Sequence, residues 1–206
     1  LDIARVAYDI ERKDLGITGG KQDQYAATYG GLNFMEFHAD EHVVVNPINV
    51  KKKVFQELQH NMVLYFGDSS RKSSEIIKEQ IKNVKSDKNT SIEAMHRLKR
   101  QAIEMKDCLV QGNIKEVGEI LNRGWEAKKA MAEGISNAKI QTTIDLAMEA
   151  GATGGKVSGA GGGGFMFLFC PGNTRYNVIN RLGTLGGYVR PFTFVQSGVK
   201  TWKQKY

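Results

Sequence analysis

Apolar residues recur along this chain with two distinct periods, and the change from one to the other marks out its elements. Ile3, Val6, Ala7 and Ile10 fall at helical spacing. They predict a helix near 1–12 whose stripe starts without an N-cap, so the chain is expected to begin inside a helix. A turn over 14–22 is followed by strands near 31–37, 42–48 and 60–66. Helical spacing returns near 73–85, 91–111, 113–133 and 138–150, where Ile140, Ile144, Ala147 and Met148 share a face and Gly151 closes the helix. The apolar run Phe165, Met166, Phe167, Leu168, Phe169 predicts a buried strand over 164–170. A helix near 173–182 and strands from 187 to the end complete the pattern, with Pro191 suited to an edge. Helices mixed with antiparallel-style strands, without strict alternation, point to an α+β fold. Lys51, Lys52 and Lys53 form a charged break between apolar segments, which places a boundary between residues 1–53 and 54–206.

Composition narrows the function classes. The 206 residues suffice for one large or two small domains. A net charge of +7 is spread along amphipathic helices rather than gathered in one run, which fits a solvated basic surface or anionic substrates. No aromatic–basic motif supports nucleic acid as a partner. No apolar stretch reaches the ~20 residues of a membrane span, and no signal peptide opens the chain, so no membrane partner and a cytoplasmic location are expected. Cys108 and Cys170 lack C-x-x-C spacing and are expected to be free, buried thiols. His38-Ala39-Asp40-Glu41-His42 satisfies a zinc-protease pattern, but that chemistry needs both histidines on one helix face and these residues join two strand-like runs. No metal site is expected within the chain.

The densest chemical signal is GGKVSGAGGGG over 154–164, seven glycines in eleven residues running straight into an apolar strand. Missing Cβ atoms let several backbone N–H groups turn inward toward phosphate oxygens, so an anion-binding turn is expected. A dinucleotide fingerprint would need a strand before the loop and a helix after it, the reverse of the order here, with an acidic residue about 20 positions on. The Walker pattern fails because Val157 follows Lys156 where a hydroxyl should bind magnesium. Replacing Gly161 or Gly162 by Val is expected to harm activity more than folding.

Lys156-Val157-Ser158-Gly159-Ala160-Gly161-Gly162-Gly163-Gly164 resembles the C-terminal glycine motif of the GHMP small-molecule kinases, the superfamily of galactokinase, homoserine kinase, mevalonate kinase and phosphomevalonate kinase. Gly16-Ile17-Thr18-Gly19-Gly20-Lys21-Gln22-Asp23-Gln24-Tyr25 independently resembles the segment in which the sugar and mevalonate members carry an active-site aspartate. Together with Trp125-Glu126-Ala127-Lys128-Lys129, these blocks are most similar to the D-glycero-D-manno-heptose 7-phosphate kinases of bacterial surface-sugar pathways, over essentially all 206 residues.

The resemblance implies MgATP-dependent phosphorylation of a heptose 7-phosphate at its anomeric hydroxyl, in the synthesis of lipopolysaccharide or capsule precursors. It implies a GHMP architecture with residues 1–53 as the end of an N-terminal domain and 54–206 as a complete C-terminal domain. It implies Asp23 as the catalytic carboxylate and Gly159, Ala160, Gly161, Gly162 and Gly163 as the nucleotide phosphate pocket. Thr18, Gly20, Lys21, Arg71 and Lys128 are its substrate candidates. The Gly-Leu-Gly-Ser-Ser type loop, the Mg²⁺ ligands and the basic partner of the aspartate are expected in a missing N-terminal half. The 206 residues are expected to need that half and to be silent alone; a homodimer stays open. Alternatives are a mevalonate-pathway kinase or decarboxylase, a fucokinase-like enzyme, or a non-catalytic nucleotide-binding module.

Residue by residue, a structural role competes with each of these. Asp23 is also a natural N-cap for a short helix. Ser69 or Ser70 fits a cap for the helix after Arg71, and Trp125, at helical spacing, fits a core position.

Overall fold

The computed structural model describes residues 2–67, 73–86 and 88–203, and these divide into two compact units, residues 2–49 with 193–203 and residues 50–192. In the first unit, helix α1 (Ile3–Asp9) is capped after all, since the Asp2 carboxylate accepts from the Arg5 amide at 3.3 Å. A single acidic residue ahead of the apolar stripe is enough to satisfy one of the orphan amides of a first turn. The helix continues as a π-helical turn over Ile10–Asp14. Helix α2 (Gln22–Tyr29) stops at Gly30, whose φ of 63° an L side chain disfavours. Strands β1 (Asn33–Phe37) and β2 (Val43–Pro47) form an antiparallel hairpin with Phe37 opposite Val43. The two-histidine motif makes the hairpin's turn, with His38 N–H donating to the His42 carbonyl at 2.9 Å. The segment 193–203 holds no strand, against expectation. It lies along the end of α2 through single bonds, Gly31 N–H to the Val195 carbonyl at 2.9 Å and Val199 N–H to the Thr28 carbonyl at 3.1 Å.

The second unit opens with helix α3 (Lys52–Asn61), where the sequence predicts only a charged break. Val54, Phe55 and Leu58 share a face that buries Leu58, while the three lysines stay exposed. Strand β3 (Met62–Phe66) follows, then α4 (Ser73–Lys85), α5 (Asn89–Gln111), α6 (Val117–Lys129) and α7 (Ala138–Glu149). Strands β4 (Gly154–Val157) and β5 (Phe165–Phe169), helix α8 (Thr174–Gly183) and the short β6 (Tyr188–Val189) complete it. The strands pair antiparallel in the order β4-β5-β3-β6.

The two faces of this sheet differ. Val63, Tyr65 and Leu168 pack on Ala147, Val178 and Leu182. Val157 and Met166 pack on Trp125, Ile140 and Ile144. Trp125 is 1% exposed and therefore belongs to the core, not to a ligand platform. Because directly opposed residues share a face, the register sets Leu64, Phe66, Lys156, Phe165 and Phe167 together on the other side, where all five are half-buried. Cys108 and Cys170 are free and buried, and burial pushes the Cys170 thiol up to about 12.

Candidate functional site

In the first unit, the turn between the π-helical segment and α2 is braced by one side chain. Arg12 donates through Nη1 to the Ile17 carbonyl at 3.1 Å, and through Nε and Nη2 to the Gly20 carbonyl at 3.2 and 3.0 Å. Its guanidinium also lies 3.3 Å from Glu11, whose carboxylate accepts from Gln24 Nε2 at 2.6 Å. A Cβ on Gly19 would stand 2.7 Å from the guanidinium, so the brace requires glycine there. Sequence reasoning missed Arg12. The signal was an Arg one helical turn ahead of a Gly-rich segment with several carbonyls to satisfy.

The braced turn sets the start of α2. Lys21 occupies the cap position without a capping bond, so Asp23 is not the N-cap but stands in the first turn, where the positive end of the helix favours a carboxylate. Asp23 is exposed and has no hydrogen-bond or ion-pair partner among the described residues. It lines a groove of about 720 Å³ with Ala7, Glu11, Gln24, Ala27 and Val199. Among the substrate candidates, Thr18 is half-buried, and Gly20 is exposed with its carbonyl held by Arg12. Lys21 is engaged otherwise: its ammonium pairs with Glu41 and sits 5.2 Å from the Tyr8 ring centroid, in a separate pocket with Arg5, Asp9 and Lys13. Arg71 lies outside the described residues, as do Ser69 and Ser70.

In the second unit, the glycine run is not all turn. Gly154 and Gly155 belong to β4, and the turn proper spans 158–164. Ser158 N–H donates to the Phe165 carbonyl at 2.8 Å across its base, and Gly162 N–H donates to the Ile135 carbonyl at 2.8 Å. The amides of Gly159, Ala160, Gly161 and Gly163 have no partner among the described residues. Unsatisfied amides gathered in one turn are what an anion-binding nest offers. The glycines serve different ends. A Cβ on Gly161 would meet the Ile135 carbonyl oxygen at 2.8 Å, whereas one on Gly159 would meet nothing within 4 Å. Gly161 is needed for packing, and Gly159 faces open space.

Two lysines border this turn. Lys128, near the end of α6, donates from its ammonium to the Gly159 carbonyl. Lys156, on β4, opens the glycine motif and fails the Walker pattern in the sequence, which gives it no binding role; its place just before the turn is the signal for one. Neither pairs with a carboxylate among the described residues. Burial, and then the Lys156 charge, lowers the Lys128 ammonium from the usual 10.5 to about 8, and burial lowers Lys156 too. Between about 8 and 10.5 the unfolded chain holds a proton at Lys128 that the folded chain has released, so this group's contribution makes the fold more stable as pH rises through that window. Lys128→Met is therefore expected to melt above the wild type at pH 7, with the difference closing as pH approaches 10.5. Thermal melts of the two proteins across pH 7 to 10.5 measure this, and a difference independent of pH refutes it.

Residues 105–186 match the family described as GHMP kinases C terminal. The D-glycero-alpha-D-manno-heptose 7-phosphate kinase of Campylobacter jejuni is 45% identical over 202 residues, which is 98% of this chain and 59% of that protein. The crystal structure of a D-glycero-D-manno-heptose 1-phosphate kinase from Bacteriodes thetaiotaomicron superposes with a TM-score of 0.74 at 39% identity, over 98% of this chain and 55% of that one. Mevalonate kinase of L. major, crystallised with R-mevalonate, has a TM-score of 0.72 over 90% of this chain and 56% of its own, but at 17% identity that is likeness of fold alone. The chain spans a little over half the length of these relatives. The matched domain, the α+β fold and the identity agree, and the chain carries the C-terminal domain of the GHMP kinases.

Proposed function

We propose that the protein to which this chain belongs is an ATP-dependent kinase that phosphorylates a heptose 7-phosphate at its anomeric hydroxyl. The observation that carries this is 45% identity to a heptose 7-phosphate kinase along 98% of the chain, a stretch that includes both Asp23 and the glycine turn. In the reaction, the acceptor oxygen bonds to the γ-phosphorus of ATP, the bond to the ADP oxygen breaks, and the hydroxyl proton leaves. An exposed carboxylate with no cation or hydrogen-bond partner among the described residues, such as Asp23, is suited to receive or orient that proton. The open amides of the glycine turn suit the phosphate oxygens, as preorganised dipoles that need no rearrangement when charge develops. The residues therefore fit a nucleotide. Among the described residues no group of three or more His, Cys, Asp or Glu could hold a metal ion.

The Mg²⁺ ligands are proposed to lie in the part of the relatives that this chain does not span, and the 206 residues alone are proposed to be silent. Ile3, Val6 and Ile10, apolar yet 37%, 40% and 48% exposed, would pack against that part. The natural setting would be the cytoplasm, where ATP is available, in the supply of precursors for a surface polysaccharide.

The named relatives differ on the phosphate, one being called a 7-phosphate kinase and the other a 1-phosphate kinase. Coupled ADP-release assays on the full-length protein resolve this with heptose 7-phosphate, heptose 1-phosphate, fucose, galactose and mevalonate, followed by NMR of the product. Turnover is expected with heptose 7-phosphate, yielding the 1,7-bisphosphate. Turnover with mevalonate alone, or with none of the panel, refutes the proposal.

A further inference from the structure

Two half-buried ammonium groups set close together without a counter-charge are costly to keep unless something anionic completes them. Among the described residues, Lys128 and Lys156 are in that position. The repulsion between them registers at Lys128, and neither has a carboxylate partner among the described residues. They also share a place. Lys156 stands on the less covered sheet face with Phe165 and Phe167, two residues before the turn begins, and Lys128 reaches the same turn at the Gly159 carbonyl. At Gly159 the space beside the backbone is open. An ammonium has three donors, and the Gly159 carbonyl takes one of those on Lys128.

We propose that Lys128 and Lys156 form a clamp for the phosphomonoester already carried by the acceptor, and so select a sugar phosphate over a free sugar. The proposal rests on the sugar-phosphate kinase function set out above. Two ammonium charges match the roughly −1.5 to −2 charge of a phosphomonoester near pH 7. Nucleotide phosphates offer similar oxygens, but they arrive partly neutralised by magnesium and need fewer protein cations.

Two measurements on the full-length protein test the clamp. Inorganic phosphate is expected to raise the melting temperature of the wild type and of Lys156→Arg, but not that of Lys128→Met or Lys156→Met. In ADP-release kinetics, both Met variants are expected to raise KM for heptose 7-phosphate at least ~10-fold while KM for ATP changes less than ~2-fold, with Lys156→Arg restoring most of the loss. A rise confined to the KM for ATP overturns the clamp by assigning the pair to the nucleotide. Equal protection of all four proteins by phosphate, or of none, also overturns it. A wild type that is inactive on every sugar phosphate refutes the kinase assignment. A wild type active on heptose 7-phosphate, with unchanged KM in the Met variants, refutes the clamp alone.

Discussion

If the full-length protein is the proposed kinase, Asp23→Asn is expected to lower its kcat by at least ~10²-fold while shifting stability by no more than about 1 kcal/mol. The two halves of that expectation have separate origins. The rate should fall because the amide keeps the shape and hydrogen-bonding reach of the side chain but removes the negative charge proposed to receive or steer the acceptor proton. Stability should barely move because Asp23 is exposed, caps nothing, and has no hydrogen bond or ion pair among the described residues. Only its attraction to the positive end of α2 is lost, worth ~0.3–1 kcal/mol. Steady-state kinetics beside thermal melts separate the cases: a variant that keeps most of its kcat but melts several degrees lower would return Asp23 to a structural role.

The glycine turn should answer very differently at two neighbouring positions. Gly161→Val is expected to destabilise the second unit by about 2–4 kcal/mol, from a strained backbone and an overpacked contact each worth ~1–3. Gly161 has a φ of 109°, and its Cβ would meet the backbone of Ile135, which cannot swing away as a side-chain end could. This reverses the expectation from sequence that activity at Gly161 would suffer more than folding. Gly159→Ala meets only the conformational penalty of a φ of 69°, ~1–2 kcal/mol, because nothing lies near its Cβ. If phosphate approaches the backbone there, Gly159→Ala should cost more in kcat/KM than in stability. Denaturant unfolding and kinetics on both variants check the contrast, and unchanged kinetics in Gly159→Ala would remove the turn from the phosphate pocket.

Local periodicity made most elements of the second unit legible. Strand β3, helices α4 to α8 and strand β5 stand where the apolar spacing places them, because each buries one continuous face and the spacing of that face is written in consecutive residues. The failures share a cause. Helix α3 was hidden because three lysines crowd its start, and only packing at Leu58 shows that Val54, Phe55 and Leu58 form a buried face. Strand β4 was hidden inside the glycine run because Gly154 and Gly155 have no side chains to alternate, and their strand character comes from pairing with Phe169 and Leu168. The strands expected after residue 187 reduce to Tyr188–Val189, since beyond Arg190, whose N–H still donates to the Leu64 carbonyl, Val195 and Val199 bond singly at the end of α2 instead of entering a ladder.

The candidate chemistry divides along the same line. Residue type and spacing were enough to single out the glycine run as an anion-binding turn, because a backbone stripped of Cβ atoms carries its chemistry locally, whereas Asp23 stood out as a candidate only through the resemblance of its segment to the GHMP kinases. Partners distant in sequence were not legible. That Arg12 braces the turn before Asp23, that Lys21 is spent on Glu41, and that Lys128 meets the glycine turn 31 residues away are facts of tertiary packing. A side chain's charge is set by its own atoms, but whether that charge is neutralised, shared or left open depends on which distant groups the fold brings within reach. In this chain the sequence names the candidate groups, and the fold decides which of them stay available.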